Sequence, residues 1–279
     1  RTKCFNVGFH IRDKLDKLPD HRTPQQLYTF FILESPPHTW DLGRDVPPDF
    51  FNISMTYRAD SDVHYPYDVF EEYTKEDLER GLVSLDQIWT ENEVDEKIKA
   101  KNKLALQFVS NCNTKSFREK YVEKLKNLTE ITQIGTCIGG KRTCDKQCED
   151  KLFVCLNYVT EKFWKLKKLI VPVVLSRKIF KGLNIPDDSF IAADDFKSPK
   201  ELIEFLKSVA ADKKRYKSYF RWTKKYKKVE YENDISNPLC NLCKLAHLNT
   251  KELRIPDIKK FWDDGGSCQY GFAENVLLG

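Results

Sequence analysis

The sequence predicts an α/β protein whose parallel sheets are covered by helices. Strand-like and helix-like stretches alternate along the second half of the chain, a pattern typical of parallel sheets. The chain has 279 residues, enough for two domains of ordinary size, and 41% of them are hydrophobic, enough for real cores. No apolar run approaches the ~20 residues needed to span a bilayer, and the first residues do not resemble a signal peptide.

The first half of the chain is predicted to hold three strand regions and one long helix. Short strands are expected at 4–11 (CFNVGFHI) and 27–35 (LYTFFILES), separated by a polar loop that contains proline. Residues 50–68 form a strand and turn region rich in β-formers. A charged helix is predicted at 74–103, because four apolar side chains recur there at helical spacing: Leu78, Leu82, Leu85 and Ile88.

The second half carries the β–α–β alternation. Strands are predicted at 103–110, 130–135, 169–175 and 189–194, and helices at 113–128, 157–166 and 198–210. Ser198 is the expected N-cap of the last helix, with Pro199 at its first position. Ligands of parallel sheets bind where strands end and helices begin, so 111–118 and 157–162 are candidate binding segments. No G-x-G-x-x-G or Walker sequence is present, which leaves dinucleotide and P-loop functions unsupported.

Basic residues are concentrated at 213–231, although the net charge of the chain is only +5. Interleaved lysines and aromatic residues can bind nucleic acid. Their spacing instead favours an amphipathic helix with solvated lysines and a buried stripe formed by Tyr216, Tyr219, Phe220 and Trp222. We therefore predict no nucleic-acid partner.

Cysteine content and two sequons indicate an oxidising compartment. The chain has nine cysteines, and Asn52 and Asn127 each begin an N-x-[ST] triplet that predicts N-glycosylation. Cys240-x-x-Cys243 could be half of a zinc site, but there is no second C-x-x-C pair, and His247 is a lone further candidate. Disulfides are the favoured interpretation, and the odd count leaves one thiol over or leaves its partner upstream.

Four stretches occur in an order that resembles the α1,3-fucosyltransferase family. They are ESPPHTW (34–40), FFNISMTYRADSDVHYPYD (50–68), FVSNCNTKSFREKYVEKL (108–125) and NYVTEKFW…VPVVL…DSFIAADDFKSPKEL (157–202). The family motifs read like FN-x-[TS]-x-[TS]-YR-x-DSD, VSNC, DYVTEK and SFI…DF-x-SPKEL. The resemblance covers nearly the whole chain, from about Val7 to Cys268.

The resemblance implies an inverting Golgi enzyme that transfers fucose from GDP-fucose to a GlcNAc hydroxyl of a glycan in α1,3 linkage. It implies a GT-B arrangement of two Rossmann-like domains: an acceptor-side domain at 1–103, a GDP-fucose-binding domain at 104–235, and a cysteine-containing segment at 236–279 that packs back on the first domain. Family members are type II membrane proteins with an N-terminal anchor. The missing anchor, stem and first family strand are then expected to reflect a luminal fragment whose first domain is N-terminally truncated.

The resemblance also assigns roles to individual residues. Glu34 follows the apolar run FFIL and matches the family's general base, which takes the proton of the attacking hydroxyl. Lys162 and Arg118 match contacts to the diphosphate, whose growing negative charge needs fixed cations. Polar partners for fucose and ribose, or residues lining their pocket, are expected from Glu161, Tyr158, Ser110 and Asn111. The alternatives from the residues alone are a strand-end carboxylate, a solvated Glu-Lys pair, a solvated arginine and a packing tyrosine.

Two further expectations concern metals and disulfides. Asp60-Ser61-Asp62 spells the D-x-D of metal-dependent glycosyltransferases, but the same triplet in the resembled family is not a metal site. No cofactor is therefore expected to be required, with Mn²⁺ stimulation left open. By the same resemblance, C-terminal cysteines tie the chain back towards the first domain. Disulfides are expected at Cys240 and Cys243, with Cys4 or Cys268 as possible partners and the connectivity open.

The sequence departs from the family pattern just before YVTEK. A strand similar to YKFYLAFENS precedes this motif in the family, whereas here CDKQCEDKLFVC leads directly to LNYVTEK, with the break between Leu152 and Phe153. That strand would be central in the donor-binding sheet, and its loss leaves its neighbours without backbone partners. A splice or gene-model error, omitted residues, and an inactive homologue that binds glycan or nucleotide without turnover are all open. Smaller departures are Asn157 for Asp and Asp68 for Gly.

Overall fold

The computed structural model describes residues 6–10, 18–39, 46–109, 112–135, 155, 157–229, 238–248 and 253–278. Within these ranges the strands are β1 Asn6–His10, β2 Leu27–Ile32, β3 Ile53–Thr56, β4 Val63–His64, β5 Leu106–Phe108, β6 Thr132–Ile134, β7 Val173–Val174 and β8 Ile191–Ala192. The α-helices are α1 Lys75–Glu79, α2 Glu91–Lys99, α3 Arg118–Lys126, α4 Glu161–Trp164, α5 Pro199–Ala211, α6 Lys213–Ser218 and α7 Pro238–Leu248. Parallel strands together with helices confirm the predicted α/β class.

The described residues divide into two compact units. The first takes its residues from 1–67, 155–158 and 231–268, and the second from 68–154, 159–230 and 269–279. The units differ from the predicted domains, because 68–103 belongs to the second unit and not to the domain predicted at 1–103. The longest described helix, α5, has 13 residues, and none in the described ranges is long and apolar enough to cross a bilayer.

The first unit is built on a four-stranded parallel sheet in the order β1-β2-β3-β4. All four residues of β3 are buried, as expected for a strand covered on both faces. Ile53, Met55 and Val63 form a core cluster against which Leu242 and Leu245 of α7 pack. The strand regions predicted at 27–35 and 50–68 thus form β2, β3 and β4 of this sheet.

C-terminal residues of the first unit hold the loop that follows β2. The Trp262 ring is fully buried, lies 5.2 Å from the Phe30 ring, and donates its Nε1–H to the hydroxyl of Thr39 at 3.2 Å. Gly266 lies so close to Pro36 that a Cβ there would come within 2.6 Å of the proline Cγ. This close approach requires glycine and fixes the position of the loop.

The second unit holds two separate parallel pairs, β5–β6 and β7–β8. In the described part of this unit no hydrogen-bonded strand joins the two pairs. The predicted break between Leu152 and Phe153 lies outside the described residues, so the missing strand stays a prediction. An aromatic cluster forms part of the core, in which Phe70 lies 4.9–5.4 Å from the rings of Trp164, Trp222 and Tyr226.

The single long helix predicted at 74–103 is wrong. Two short helices, α1 and α2, replace it, separated by a 3₁₀ turn at Leu85–Gln87. Gly81 adopts a φ of +68°, which ends helical geometry, and Thr90 begins α2 through a capping box with Glu93. Leu82 and Leu85, which a continuous helix would have buried, are exposed as a result.

The basic segment 213–228 is paired with carboxylates of the same unit. Lys217 lies 2.7 Å from Glu91 and from Asp95, and Lys224 lies 2.7 Å from Glu91. Hydrogen bonds from Lys217 and Lys224 lower the pKa of Glu91 to about 2. The amphipathic helix predicted in this segment is limited to α6, and a 3₁₀ turn follows at Arg221–Lys224. The paired lysines project a weaker positive field than unpaired ones, and the absence of a nucleic-acid partner stays a prediction.

Cys268 forms a disulfide, but its partner is Cys155, 113 positions earlier in the chain. The predicted pairing of Cys268 with Cys240 or Cys243 is therefore wrong. Cys112 is also disulfide-bonded. Cys4 lies outside the described residues.

The disulfides predicted at Cys240 and Cys243 are wrong in this structure, where both thiols are free and exposed. The reason is helix geometry, because both cysteines lie on α7. Leu242 and Leu245 face the sheet, so residues two positions before each of them fall on the solvent side.

The two glycosylation sequons differ in accessibility. Asn127 is exposed directly after α3, whereas the Asn52 side chain is half-buried and bridges two segments. Its Nδ2 donates to the carbonyl of Leu253, and its Oδ1 accepts from the backbone N–H of Tyr28, both at 2.8 Å. A sugar on Nδ2 would compete with the bond to Leu253, so the structure argues against glycosylation of Asn52.

We expect glycopeptide mapping of protein secreted from eukaryotic cells to find Asn127 occupied and Asn52 unmodified. The Asn127→Gln variant should lose the mass of one glycan, because this exposed amide is the accessible acceptor. Asn127→Gln protein that keeps its full glycan mass, or a glycan mapped to Asn52, would contradict this assignment.

Candidate active site

Glu34 lies two residues after β2, at the carboxyl end of this parallel strand. The strand ends here because Pro36 and Pro37 lack backbone N–H groups and begin a 3₁₀ turn, Pro36–His38. The Glu34 side chain is 16% exposed, and its Oε2 accepts a hydrogen bond from the Tyr158 hydroxyl at 3.1 Å. The same oxygen lies 3.9 Å from Nδ1 of His38. The carboxylate is thus partly buried at a sheet edge where ligands of parallel sheets bind.

Three tyrosines lie close together beside this carboxylate. The Tyr158 side chain is 1% exposed, and its ring lies 5.0 Å from that of Tyr57 and 6.5 Å from that of Tyr67. Burial raises the pKa of Tyr158 well above its ordinary value, and the neighbouring Tyr67 and Glu34 raise this pKa further. The hydroxyl therefore stays protonated and able to donate at physiological pH.

The segment that carries Tyr158 is fixed within the first unit at two further points. Cys155 is bonded to Cys268, and Oδ1 of Asn157 accepts from the backbone N–H of Ala59 at 3.2 Å. Asn157 has a φ of +60°, a left-handed conformation that asparagine tolerates better than most residues. The helix predicted at 157–166 consequently begins only at Glu161.

Lys162 and Glu161 begin α4 in the second unit. Thr160 is the N-cap and accepts from the backbone N–H of Lys162. Lys162 and Glu161 form an ion pair, but the lysine side chain is only 7% exposed, against 41% for Glu161. A solvated surface pair is therefore excluded for Lys162. Four residues of helix provide little dipole, so the positive charge here comes from the ammonium group.

Arg118 begins α3 and is only 3% exposed, so it is not a solvated surface arginine. Its backbone N–H bonds the hydroxyl of Thr114, and this hydroxyl in turn donates to Glu119 at 2.8 Å. Phe117, the residue before the helix, has a φ of +55°, which non-glycine residues rarely adopt. Strained backbone of this kind clusters at functional sites.

The turn before Arg118 is supported by residues near position 271 of the same unit. The backbone N–H of Gly271 donates to the carbonyl of Lys115 at 2.7 Å, and that of Ala273 donates to Ser116 at 2.9 Å. Gly271 has a φ of +63°, where glycine is favoured. The sequence analysis did not predict this contact between 115–116 and 271–273. Gly271 was the one residue that could have indicated it.

The Asp60-Ser61-Asp62 triplet is engaged in the turn between β3 and β4. Asp62 Oδ2 accepts from the backbone N–H and the hydroxyl of Ser54, at 2.8 and 2.7 Å. Asp60 accepts from Nε of Arg58 at 2.8 Å. Among the residues that the structure describes, no group of three or more His, Cys, Asp or Glu side chains could hold a metal ion. Both carboxylates thus have structural partners.

A buried ion pair in the second unit explains the departure at Asp68. The Lys167 ammonium lies 2.7 Å from Asp68, 2.9 Å from the carbonyl of Val69 and 2.8 Å from that of Val229. All three donors of the lysine are used. Asp68 therefore has a structural role that sequence reasoning did not anticipate.

The structure brings together two residues assigned to different roles, the base Glu34 and the donor-pocket residue Tyr158. The remaining donor candidates, Arg118, Glu161 and Lys162, belong to the second unit. Ser110 and Asn111 lie outside the described residues. His38 and Tyr57 were not predicted as part of the site.

Two family models match the chain. "Fucosyltransferase, N-terminal" matches residues 3–68, and "Glycosyltransferase family 10 (fucosyltransferase) C-term" matches residues 98–262.

Similar proteins include α-(1,3)-fucosyltransferase fut-5 of Caenorhabditis elegans, 31% identical over 97% of this chain and 75% of its own length. Another is α-(1,3)-fucosyltransferase C of Drosophila melanogaster, 31% identical over 92% of this chain and 64% of its own length. A solved structure, "Crystal Structure of alpha1,3-Fucosyltransferase with GDP-fucose", is 14% identical with a TM-score of 0.47, covering 86% of this chain and 81% of that one.

Proposed function

The chain belongs to glycosyltransferase family 10, the fucosyltransferases, and on that premise we propose that it transfers fucose from GDP-fucose to a GlcNAc hydroxyl of a glycan, with inversion and in α1,3 linkage. The observation that supports this most is Glu34, a partly buried carboxylate at the carboxyl end of a parallel strand, held by a buried tyrosine hydroxyl. Inversion needs one such base.

The proposed reaction is a single displacement. The acceptor hydroxyl attacks the anomeric carbon of fucose and its proton passes to the Glu34 carboxylate. The new C–O bond forms as the bond between this carbon and the β-phosphate oxygen breaks, and the electron pair leaves with GDP. Proton removal by a placed carboxylate contributes about 10²–10⁴-fold in rate.

The second unit supplies the cations for the leaving group. Lys162 and Arg118 are buried, so their charges are screened less by water than those of surface residues. Charge-assisted hydrogen bonds from an ammonium and a guanidinium suit the diphosphate, whose negative charge increases as the bond breaks. Glu161, on the same turn of helix and half-exposed, is the proposed partner for sugar hydroxyls.

The proposal includes a metal-independent mechanism and a place in the Golgi lumen. The structural partners of Asp60 and Asp62 support the metal-independent mechanism. The exposed Asn127 sequon and the Cys155–Cys268 disulfide suit an oxidising compartment, which supports the place in the Golgi lumen. In this proposal an upstream anchor makes the full-length protein a type II membrane protein.

The test is turnover of GDP-fucose by this chain on two acceptors, a lactosamine chain and an N-glycan core, with and without excess EDTA. We expect fucose in the product in both conditions. GDP-fucose binding without transfer to either acceptor would favour an inactive, ligand-binding homologue instead. Activity abolished by EDTA and restored by Mn²⁺ would contradict the metal-independent mechanism.

A further inference from the structure

We propose that Tyr158 is a positioning residue for the general base: its hydroxyl holds the Glu34 carboxylate in the orientation that receives the acceptor's proton. This inference rests on the proposed fucosyl transfer and deepens it. It replaces the donor-pocket role that the YVTEK sequence predicts for Tyr158. The two roles differ in their kinetic consequences, because one acts on the base and the other on donor affinity.

The first argument is the hydrogen bond itself. The Tyr158 hydroxyl donates to Oε2 of Glu34 at 3.1 Å, although the two residues are 124 positions apart. This distance is at the long end for an O–H donor, as catalytic hydrogen bonds often are before substrate binds. This hydrogen bond uses the only O–H donor of the tyrosine side chain on the base.

The second argument is that the tyrosine is fixed independently of Glu34. Its ring packs beside Tyr57 and Tyr67, and its backbone neighbours are tied by the Cys155–Cys268 disulfide and by the bond from Ala59 to Asn157. Buried and locked at these points, the tyrosine can orient the carboxylate instead of following it. Glutamate needs such a guide, since its side chain has three rotatable bonds.

The third argument is chemical. A misplacement of 1 Å at a reacting group can cost about 10²-fold in rate, so a fixed donor on the base is worth having. A hydrogen bond to the charged form of a carboxyl also lowers its pKa and keeps the base ready to accept a proton.

Other titratable groups near Glu34 come from three elements. They are His38 on the 3₁₀ turn, Tyr57 after β3, and Tyr67 after β4; Arg58 and Asp60, beside Tyr57, pair with each other. Tyr57 and Tyr158 are buried and neutral, because burial raises the pKa of each well above its ordinary value. His38 is the group in this set that normally changes charge near neutral pH, so it is unchanged in every variant below.

The variant Tyr158→Phe removes one oxygen atom and keeps the ring that packs on Tyr57. We expect kcat to fall about 10- to 100-fold with an unchanged KM for GDP-fucose. The acidic limb of kcat/KM should move to higher pH by about one unit, because the charged carboxylate loses a hydrogen bond and its pKa rises. Tyr65→Phe is the matched control: Tyr65 stacks on Phe31 in the same unit, and its pH profile should equal that of wild type.

A raised KM with unchanged kcat, or an unmoved acidic limb, would overturn the proposal and return Tyr158 to a donor contact. If Tyr158→Phe does not fold, 3-fluorotyrosine at position 158 keeps the ring and strengthens the donor. The acidic limb should then move to lower pH, and an unmoved limb would again overturn the proposal.

An infrared titration separates this inference from the proposed function. The carboxyl band of Glu34 is isolated in each background by subtracting the spectrum of the same protein carrying Glu34→Gln. This band should titrate at higher pH in Tyr158→Phe than in the chain that keeps Tyr158. This readout needs no turnover. A wild-type chain that transfers no fucose but shows the infrared shift would defeat the proposed function and leave the Tyr158–Glu34 link intact. No shift in an active enzyme would defeat only the link.

Discussion

Glu34→Gln is expected to lower the kcat of fucose transfer at least ~100-fold, the lower end for removal of a general base. The amide is nearly the same size as the carboxylate, and its oxygen can still accept from Tyr158, so the local packing should survive. It has no lone pair basic enough to take the acceptor's proton. Steady-state rates at saturating donor and acceptor measure the loss.

Two comparisons make this result specific. Glu130→Gln removes a carboxylate whose side chain is 87% exposed in the second unit, and its rate should equal that of wild type. GDP binding by Glu34→Gln should also match wild type, because the residues proposed to hold GDP belong to the second unit. A Glu34→Gln enzyme with the wild-type rate would show that another group takes the proton.

The sheet of the first unit could be predicted because its determinants are local. Runs of apolar and β-forming residues bounded by turn residues mark β2 and β3, and the run FFIL places Glu34 at a strand end. The helix predicted at 74–103 failed for an equally local reason. The spacing of its leucines was counted, whereas Gly81, which ends a helix, was not.

The surroundings of the site could not be predicted, because they depend on contacts between distant parts of the chain. Nothing in the sequence near Glu34 indicates a partner 124 positions away, and the disulfide partner of Cys268 is 113 positions away. Burial poses the same difficulty. The sequence of an adjacent Glu-Lys pair is the same whether both side chains are solvated or, as here, the lysine alone is buried. Only tertiary packing distinguishes them.

Lys162→Met should lower kcat for fucose transfer about 10²–10³-fold, the range for loss of one group that stabilises transition-state charge. Methionine has nearly the volume of lysine and an unbranched apolar stem, so it replaces the buried side chain with little change in packing. Glu161 loses its ion pair but is 41% exposed, so water can solvate its carboxylate and the fold should tolerate the change. Calorimetry should show weaker GDP binding as well, because the ammonium is proposed to contact the diphosphate in ground state and transition state alike.

Lys168→Met is the matched control. It replaces an exposed lysine six residues later, removes the same charge without touching the site, and should leave both the kcat and the GDP affinity unchanged. Equal losses in the two variants would mean that net positive charge, not the buried ammonium of Lys162, attracts the nucleotide.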